Sequence, residues 1–185
     1  AAHHLVLLVA SFTFMVPLGL SSAGSVRVGQ ALGRGDRAGA RRSGTTSVAV
    51  GVAFMALSAA GLTSFARPIL GLFGQPDEVV ELARLLLLCA GVFQVFDGAQ
   101  VTLSGALRGA DDTMSAMVAN LVGHWAVGLP LGALLCYRAG WGVVGLWVGL
   151  AAGLAAVAFW LGLVWRRRMG DAVAAAATIA DQPAA

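Results

Sequence analysis

Apolar residues in this chain run in blocks of spanning length, and the charges fall between the blocks. Cutting the sequence at its charges leaves Leu5 to Val26, Ser43 to Ala66, Leu85 to Leu107, Thr113 to Tyr137 and Trp141 to Trp165. A helix needs about 20 predominantly apolar residues to cross the hydrocarbon core of a bilayer. The pattern predicts an all-α fold, a polytopic transmembrane helix bundle of about five spans. Residues 1–168 read as one transmembrane lobe. The alanine-rich stretch 169–185 is too weakly patterned to bury a face and reads as a disordered tail.

Composition agrees with that solvent. Hydrophobic residues make up 58 % of the chain, charged residues 11 %, and the mean hydropathy is +0.83, whereas an ordinary soluble domain is about a quarter charged. The net charge of +3 comes entirely from arginine, and its placement reads as topology, with no nucleic-acid face. Arg27, Arg34, Arg37, Arg41 and Arg42 crowd the first connection, Arg67 and Arg84 flank the second, Arg108 follows the third span, Arg138 the fourth, and Arg166 to Arg168 the last. The positive-inside rule then puts the first and third connections and the carboxyl end in the cytoplasm of a multi-pass inner-membrane protein. The amino end starts outside, without an initiator methionine or signal, which reads as a partial chain lacking earlier helices.

One charge breaks the segregation. Asp97 sits near the middle of the Leu85 to Leu107 block, where a carboxylate costs on the order of 3 kcal/mol and normally faces a protein interior or a watery cavity on a transport path. Phe93, Gln94, Asp97, Gln100, Val101 and Ser104 recur at spacings of three and four, so one helical face carries a polar stripe centred on Asp97. Asn120 and His124 lie one turn apart on the next span. The plainer account of Gln94, Gln100, Ser104, Asn120 and His124 is hydrogen bonding between helices; the functional one makes them cavity-lining and His124 a proton relay. Pro17 and Pro130 are the expected helix bends, with Ser21 and Ser22 able to satisfy freed carbonyls.

Other features are structural. Gly145, Gly149 and Gly153 give the last span a small-residue seam for close helix contact, and Trp141 and Trp165 bracket it as interface anchors. Cys89 and Cys136 lie in apolar blocks without metal-ligand neighbours and read as inert packing. Asp77, Glu78 and Glu81 read as a helix start, with an ion-attracting vestibule as the alternative, and Ile69 to Phe73 as a short surface helix. Gly33 to Ala38 contains a GxGxxA string and an RGD tripeptide, yet no strand precedes it and a helix-connecting turn suffices. With no nucleophile set, metal-binding cysteine pattern or phosphate loop, the chain is not read as an enzyme and no cofactor is expected.

Several strings in a fixed order carry a family resemblance: Phe14-Met15-Val16-Pro17-Leu18-Gly19-Leu20-Ser21-Ser22-Ala23, Arg27-Val28-Gly29-Gln30-Ala31-Leu32-Gly33, Asp97-Gly98-Ala99-Gln100, Gly105-Ala106-Leu107-Arg108-Gly109, Gly128-Leu129-Pro130-Leu131-Gly132 and Gly142-Val143-Val144-Gly145-Leu146-Trp147. Over Ala1 to about Arg168 the chain resembles the second half of the multidrug and toxic compound extrusion (MATE) family. The resemblance implies that the five spans correspond to the eighth to twelfth of a twelve-helix, two-lobe transporter. It implies a secondary exporter of small amphipathic organic cations and drugs, coupled to protons or alternatively sodium, that partners with lipid and with the N-terminal lobe missing here. Asp97 matches the acid of the family's tenth helix, which would hold the coupling ion or the substrate cation, and a metal only if sodium couples. Phe93 stands where some members place a tyrosine, which favours protons. The companion acid of the seventh helix would precede Ala1. Protonation of Asp97 and binding of a cation would exclude one another, and lobe rocking would convert that exclusion into export. The rival readings are a flippase for lipid-linked saccharides, for which a more cationic cavity is expected, and a non-transporting membrane subunit.

Overall fold

The computed structural model describes residues 2–66, 68 and 77–180, with side chains described at Leu8, 11–66, 68 and 87–170. Every element among them is helical: α1 (Ala2–Gly33), α2 (Arg37–Ser64), α3 (Asp77–Gly109), α4 (Thr113–Arg138) and α5 (Gly142–Ala180). Among the described residues four stretches are long and apolar enough to cross a membrane, namely Arg37–Ser64, Leu87–Gly109, Thr113–Arg138 and Gly142–Gly170. The expected surface helix at Ile69 to Phe73 lies outside the described residues. Asp77 does open α3.

The connections show why the helices end where they do. Gly35 adopts φ +73, a left-handed conformation that ends α1, and Asp36 then accepts the Gly39 N–H at 2.7 Å to cap α2. The glycine string and RGD tripeptide are therefore a helix turn. Asp111 takes φ 58 and Asp112 caps α4, accepting the Ser115 N–H at 3.0 Å. Two glycines with positive φ, Gly140 and Gly142, carry the turn into α5.

Helix α3 is the axis of the bundle and packs against each of the other four. Close approach depends on small residues: a Cβ on Gly109 would lie 3.0 Å from the Ser25 carbonyl carbon of α1, and one on Gly98 would lie 3.2 Å from the Gly51 carbonyl oxygen of α2. At the arginine-rich end Val28, Ala40, Leu107, Ala119, Leu161 and Trp165 close one apolar core. Trp165 is therefore no interface anchor. It is 5 % exposed, its ring lies over Gly44, and its indole N–H donates to Thr45 Oγ1 at 3.4 Å. Trp141 is exposed.

Helix α4 is not a uniform coil. Val122–Gly128 and Leu134–Arg138 wind with wide turns around a short α segment, Leu129–Ala133. Leu129 N–H donates to His124 O and Ala139 N–H to Leu134 O, five residues back in each case. Pro130 has no N–H to offer the carbonyl four residues before it, and widening the neighbouring turns re-pairs the backbone. The same turns set the Gly128 and Gly132 backbones against Gly149 and Gly153 of α5, so the glycine seam is a backbone-on-backbone contact.

Beyond the last span α5 continues to Ala180. Residues 169–180, read in the sequence as part of a tail, carry this helix, in keeping with their high proportion of alanine; residues 181–185 lie outside the described residues. Met169 is buried in the core.

Candidate functional site

The polar stripe of α3 divides its partners between two neighbours. On one edge Gln94 is 1 % exposed and its Nε2 donates to Thr13 Oγ1 of α1 at 2.8 Å. Ser21 Oγ, also from α1, donates to the Val101 carbonyl at 2.7 Å. On the other edge Gln100 Nε2 donates to Asn120 Oδ1 of α4, and Asn120 Nδ2 donates to Ala116 O at 2.7 Å. The arc between Gln94 and Gln100 is about 120° on a helix of 3.6 residues per turn. Asp97 and Ser104 lie inside that arc, between the α1 and α4 edges.

Asp97 is half-buried and has neither a hydrogen bond nor an ion pair among the described residues. Gln94 Oε1 and Ser104 Oγ are also buried without a partner. Phe93, one turn before Asp97, meets Trp147 of α5 edge to face, with ring centroids 5.9 Å apart and planes at 75°. Its ring supplies no oxygen for a metal ion. Among the described residues no group of three His, Cys, Asp or Glu side chains could hold a metal.

His124 Nδ1 lies 3.1 Å from Asn120 O. Its bond stays within α4 and does not bridge helices as expected. The Gln100 to Asn120 bond also fixes the register of two antiparallel helices. Asp97 lies about 4.5 Å along α3 from that bond and His124 about 6 Å along α4, in the same direction. The two ionisable side chains therefore stand at nearly the same depth.

The other residues singled out in the sequence have the following surroundings. Gln94 is sealed between α1 and α3 and lines no open space within this chain. Pro17 is fully buried inside an unbroken α1. Ser22 Oγ donates to Leu18 O at 3.3 Å and Ser21 to α3, so neither serine serves the carbonyl four residues before Pro17. Cys89 and Cys136 are free and half-buried.

A feature not anticipated from sequence is the cluster at the arginine-rich end. Asp112, 5 % exposed, accepts from Arg168 Nε at 2.8 Å and from Ser115 Oγ at 2.8 Å. Burial pushes its carboxyl up, but the two Ser115 bonds and the Arg168 guanidinium outweigh it and hold the group below the usual carboxylate range. The cluster ties the α3–α4 turn to α5. Its signal in sequence was an aspartate three residues before a serine at a helix start.

Comparison with known proteins places this arrangement. The chain is 44 % identical over 182 residues to a probable multidrug resistance protein NorM of Brucella suis, covering 96 % of this chain and 39 % of that protein. It is 47 % identical over 171 residues to the multidrug resistance protein NorM of Burkholderia vietnamiensis, covering 90 % and 37 %. The chain thus spans about two fifths of the length of these relatives. The crystal structure of the eukaryotic MATE transporter AtDTX14 superposes with a TM-score of 0.82 at 25 % identity, over 92 % of this chain and 39 % of that one. An inward-facing multidrug resistance transporter of the MATE family matches with a TM-score of 0.70 over 83 % of this chain, at 23 % identity that speaks to fold alone. The MatE family profile matches residues 1–134, and with these relatives it establishes that this multi-pass membrane chain belongs to the MatE family.

Proposed function

We propose that this chain is the C-terminal lobe of an ion-coupled exporter of amphipathic organic cations, in which Asp97 exchanges the coupling ion for the substrate's positive charge. Asp97 carries the reading: a half-buried carboxyl on a membrane-spanning helix, held by no hydrogen bond or ion pair among the described residues. A structural carboxylate at such depth is normally paired, because leaving it unpaired is costly. The NorM relatives, which are multidrug resistance proteins, support export as the activity. The Phe93 ring, engaged with Trp147 and lacking an oxygen, supports protons over sodium as the coupling ion.

The physical cycle needs only mutual exclusion. An ionised Asp97 attracts a cation, a protonated one does not, and each occupant favours a different arrangement of this lobe against the other. The arginine alternation supports a cytoplasmic α1–α2 turn and an external α4–α5 turn in the inner membrane. Asp97→Asn in the full-length protein is the test. Dye efflux from cells is expected to collapse while the amount of protein in the membrane stays unchanged. Efflux at the parental rate, with the parental dependence on pH and sodium, would refute the assignment.

A further inference from the structure

We infer that the furrow between α2 and α5 at the arginine-rich end binds an anionic phospholipid, its phosphate held between Arg41 and Arg166 and one acyl chain laid along the two helices. The helices meet there through Trp165, whose ring lies over Gly44 and whose indole N–H donates to Thr45 Oγ1. Round α2 from Gly44, Arg41 lies at about 60° and Thr45 at about 100° in the same sense, so Arg41 is on the side that meets α5. Round α5 from Trp165, Arg166 lies at about 100°, away from α4, and Arg168 at about 60° in the opposite sense, where it binds Asp112. The three arginines after the span thus divide: Arg168 holds the α3–α4 turn, Arg166 borders the furrow, and Arg167 points away from the bundle. Arg41 and Arg166 are exposed and have no acidic partner among the described residues, where Asp36 caps α2 and Asp112 holds Arg168.

Deeper in the membrane the furrow is apolar and open. Phe159 is 71 % exposed, and a Cβ on Gly162 would meet nothing within 4 Å. Both lie on the Arg166 side of α5, and Val52 continues the Thr45 side of α2. From Arg166 to Ala155 is about 16 Å along α5, half the hydrocarbon thickness and the depth of one leaflet. The furrow also lies on the face of the lobe that suits lipid. On α3, Gly98 meets Gly51 and Met55 of α2, and Phe93 meets Trp147 of α5. Ala99 lies between those two directions and is about 160° round α3 from Asp97. A membrane-embedded carboxyl turns to protein or to a watery cavity. Whatever shields Asp97 in a longer chain therefore packs between α1 and α4, opposite the furrow. Two guanidinium groups at the mouth of an apolar channel one leaflet deep complement a phosphodiester and its acyl chain, and a free phosphate would leave the channel unfilled.

Photolabelling tests the site. Phosphatidylglycerol and phosphatidylcholine carrying the same diazirine in the acyl chain are each added as a trace to the full-length protein in nanodiscs of phosphatidylcholine. Labelled positions are read by mass spectrometry. Phosphatidylglycerol is expected to label residues 45–52 and 155–162 about tenfold or more above phosphatidylcholine, with no such preference on the other helices. Arg41→Gln with Arg166→Gln should bring the two lipids close to parity. Arg42→Gln with Arg167→Gln removes the same charge from side chains that point away from the furrow, and should keep most of the preference. Equal loss in the two double variants would make the arginines a diffuse surface charge and overturn the site. So would a parental protein that shows no preference, or one that neither lipid labels at these residues because another part of the chain covers the furrow.

Discussion

Substituting Gly149 by alanine should destabilise the lobe although alanine is the better helix former. A Cβ on Gly149 would overlap the Gly132 Cα and amide nitrogen and approach the Gly128 carbonyl oxygen to 2.7 Å. These are backbone atoms, so no rotamer change relieves the overlap and α4 and α5 must separate by about 1 Å, forfeiting a quarter to a half of the dispersion well for each contact along the seam. Overpacking of this kind costs about 1–3 kcal/mol. Gly162→Ala is the control, because nothing lies within 4 Å of its added Cβ; there the lower entropy of the unfolded chain predicts a gain of about 0.4–1 kcal/mol. The two substitutions are chemically identical and should differ in sign. Thermal unfolding of the full-length protein, followed by reaction of a thiol-activated dye with Cys136 as the single cysteine, reads the seam, since a Cβ on Gly145 would lie 2.7 Å from the Cys136 backbone nitrogen. If Gly149→Ala melts at or above the parental temperature, the seam is not a backbone contact and the reasoning fails.

Asp112→Ala should cost about 1–2 kcal/mol, mostly the lost helix cap, since its partner Arg168 is half-exposed and screened; thermal melts measure it. Because Asp112 is held below its ordinary range, its contribution is present above the unfolded carboxylate pKa and is lost as pH falls through the folded value, so the melting-temperature gap between parent and Asp112→Asn should close in strong acid. Gln94→Leu should be nearly neutral, because it removes the orphaned Oε1 along with the bond to Thr13, whereas Gln94→Ala should cost about 0.6 kcal/mol or more; equal losses in chemical denaturation would contradict this. In intact cells, a membrane-impermeant thiol reagent should reach a lone cysteine at Ala139 and not one at Arg34; the reverse pattern would invert the topology.

The spans were legible because the bilayer enforces long apolar runs and charges can end them only at the surface. The same constraint made Asp97 conspicuous, and period-3.6 counting found its stripe. Counting along one helix could not say which neighbour each residue meets: Gln94 turns to α1 and Gln100 to α4, a division set by tertiary packing. The glycine seam of α5 was readable as small residues in register, but its partner surface was not, because the wide turns of α4 depend on how Pro130 and the adjacent backbone re-pair in three dimensions. Trp165 misled for a similar reason. A tryptophan beside arginines suits a membrane interface, and only the absence of a side chain at Gly44 on another helix admits its ring to the core.

In the proposed cycle a proton and an organic cation compete for Asp97. Ethidium added to the purified full-length protein in weakly buffered detergent solution, across the pH range in which transport runs, tests it through proton release followed with a pH indicator. Competition requires release from the parental protein, matching ethidium bound, and none from Asp97→Asn. Parental binding with no proton release, or equal release from Asp97→Asn, would contradict it.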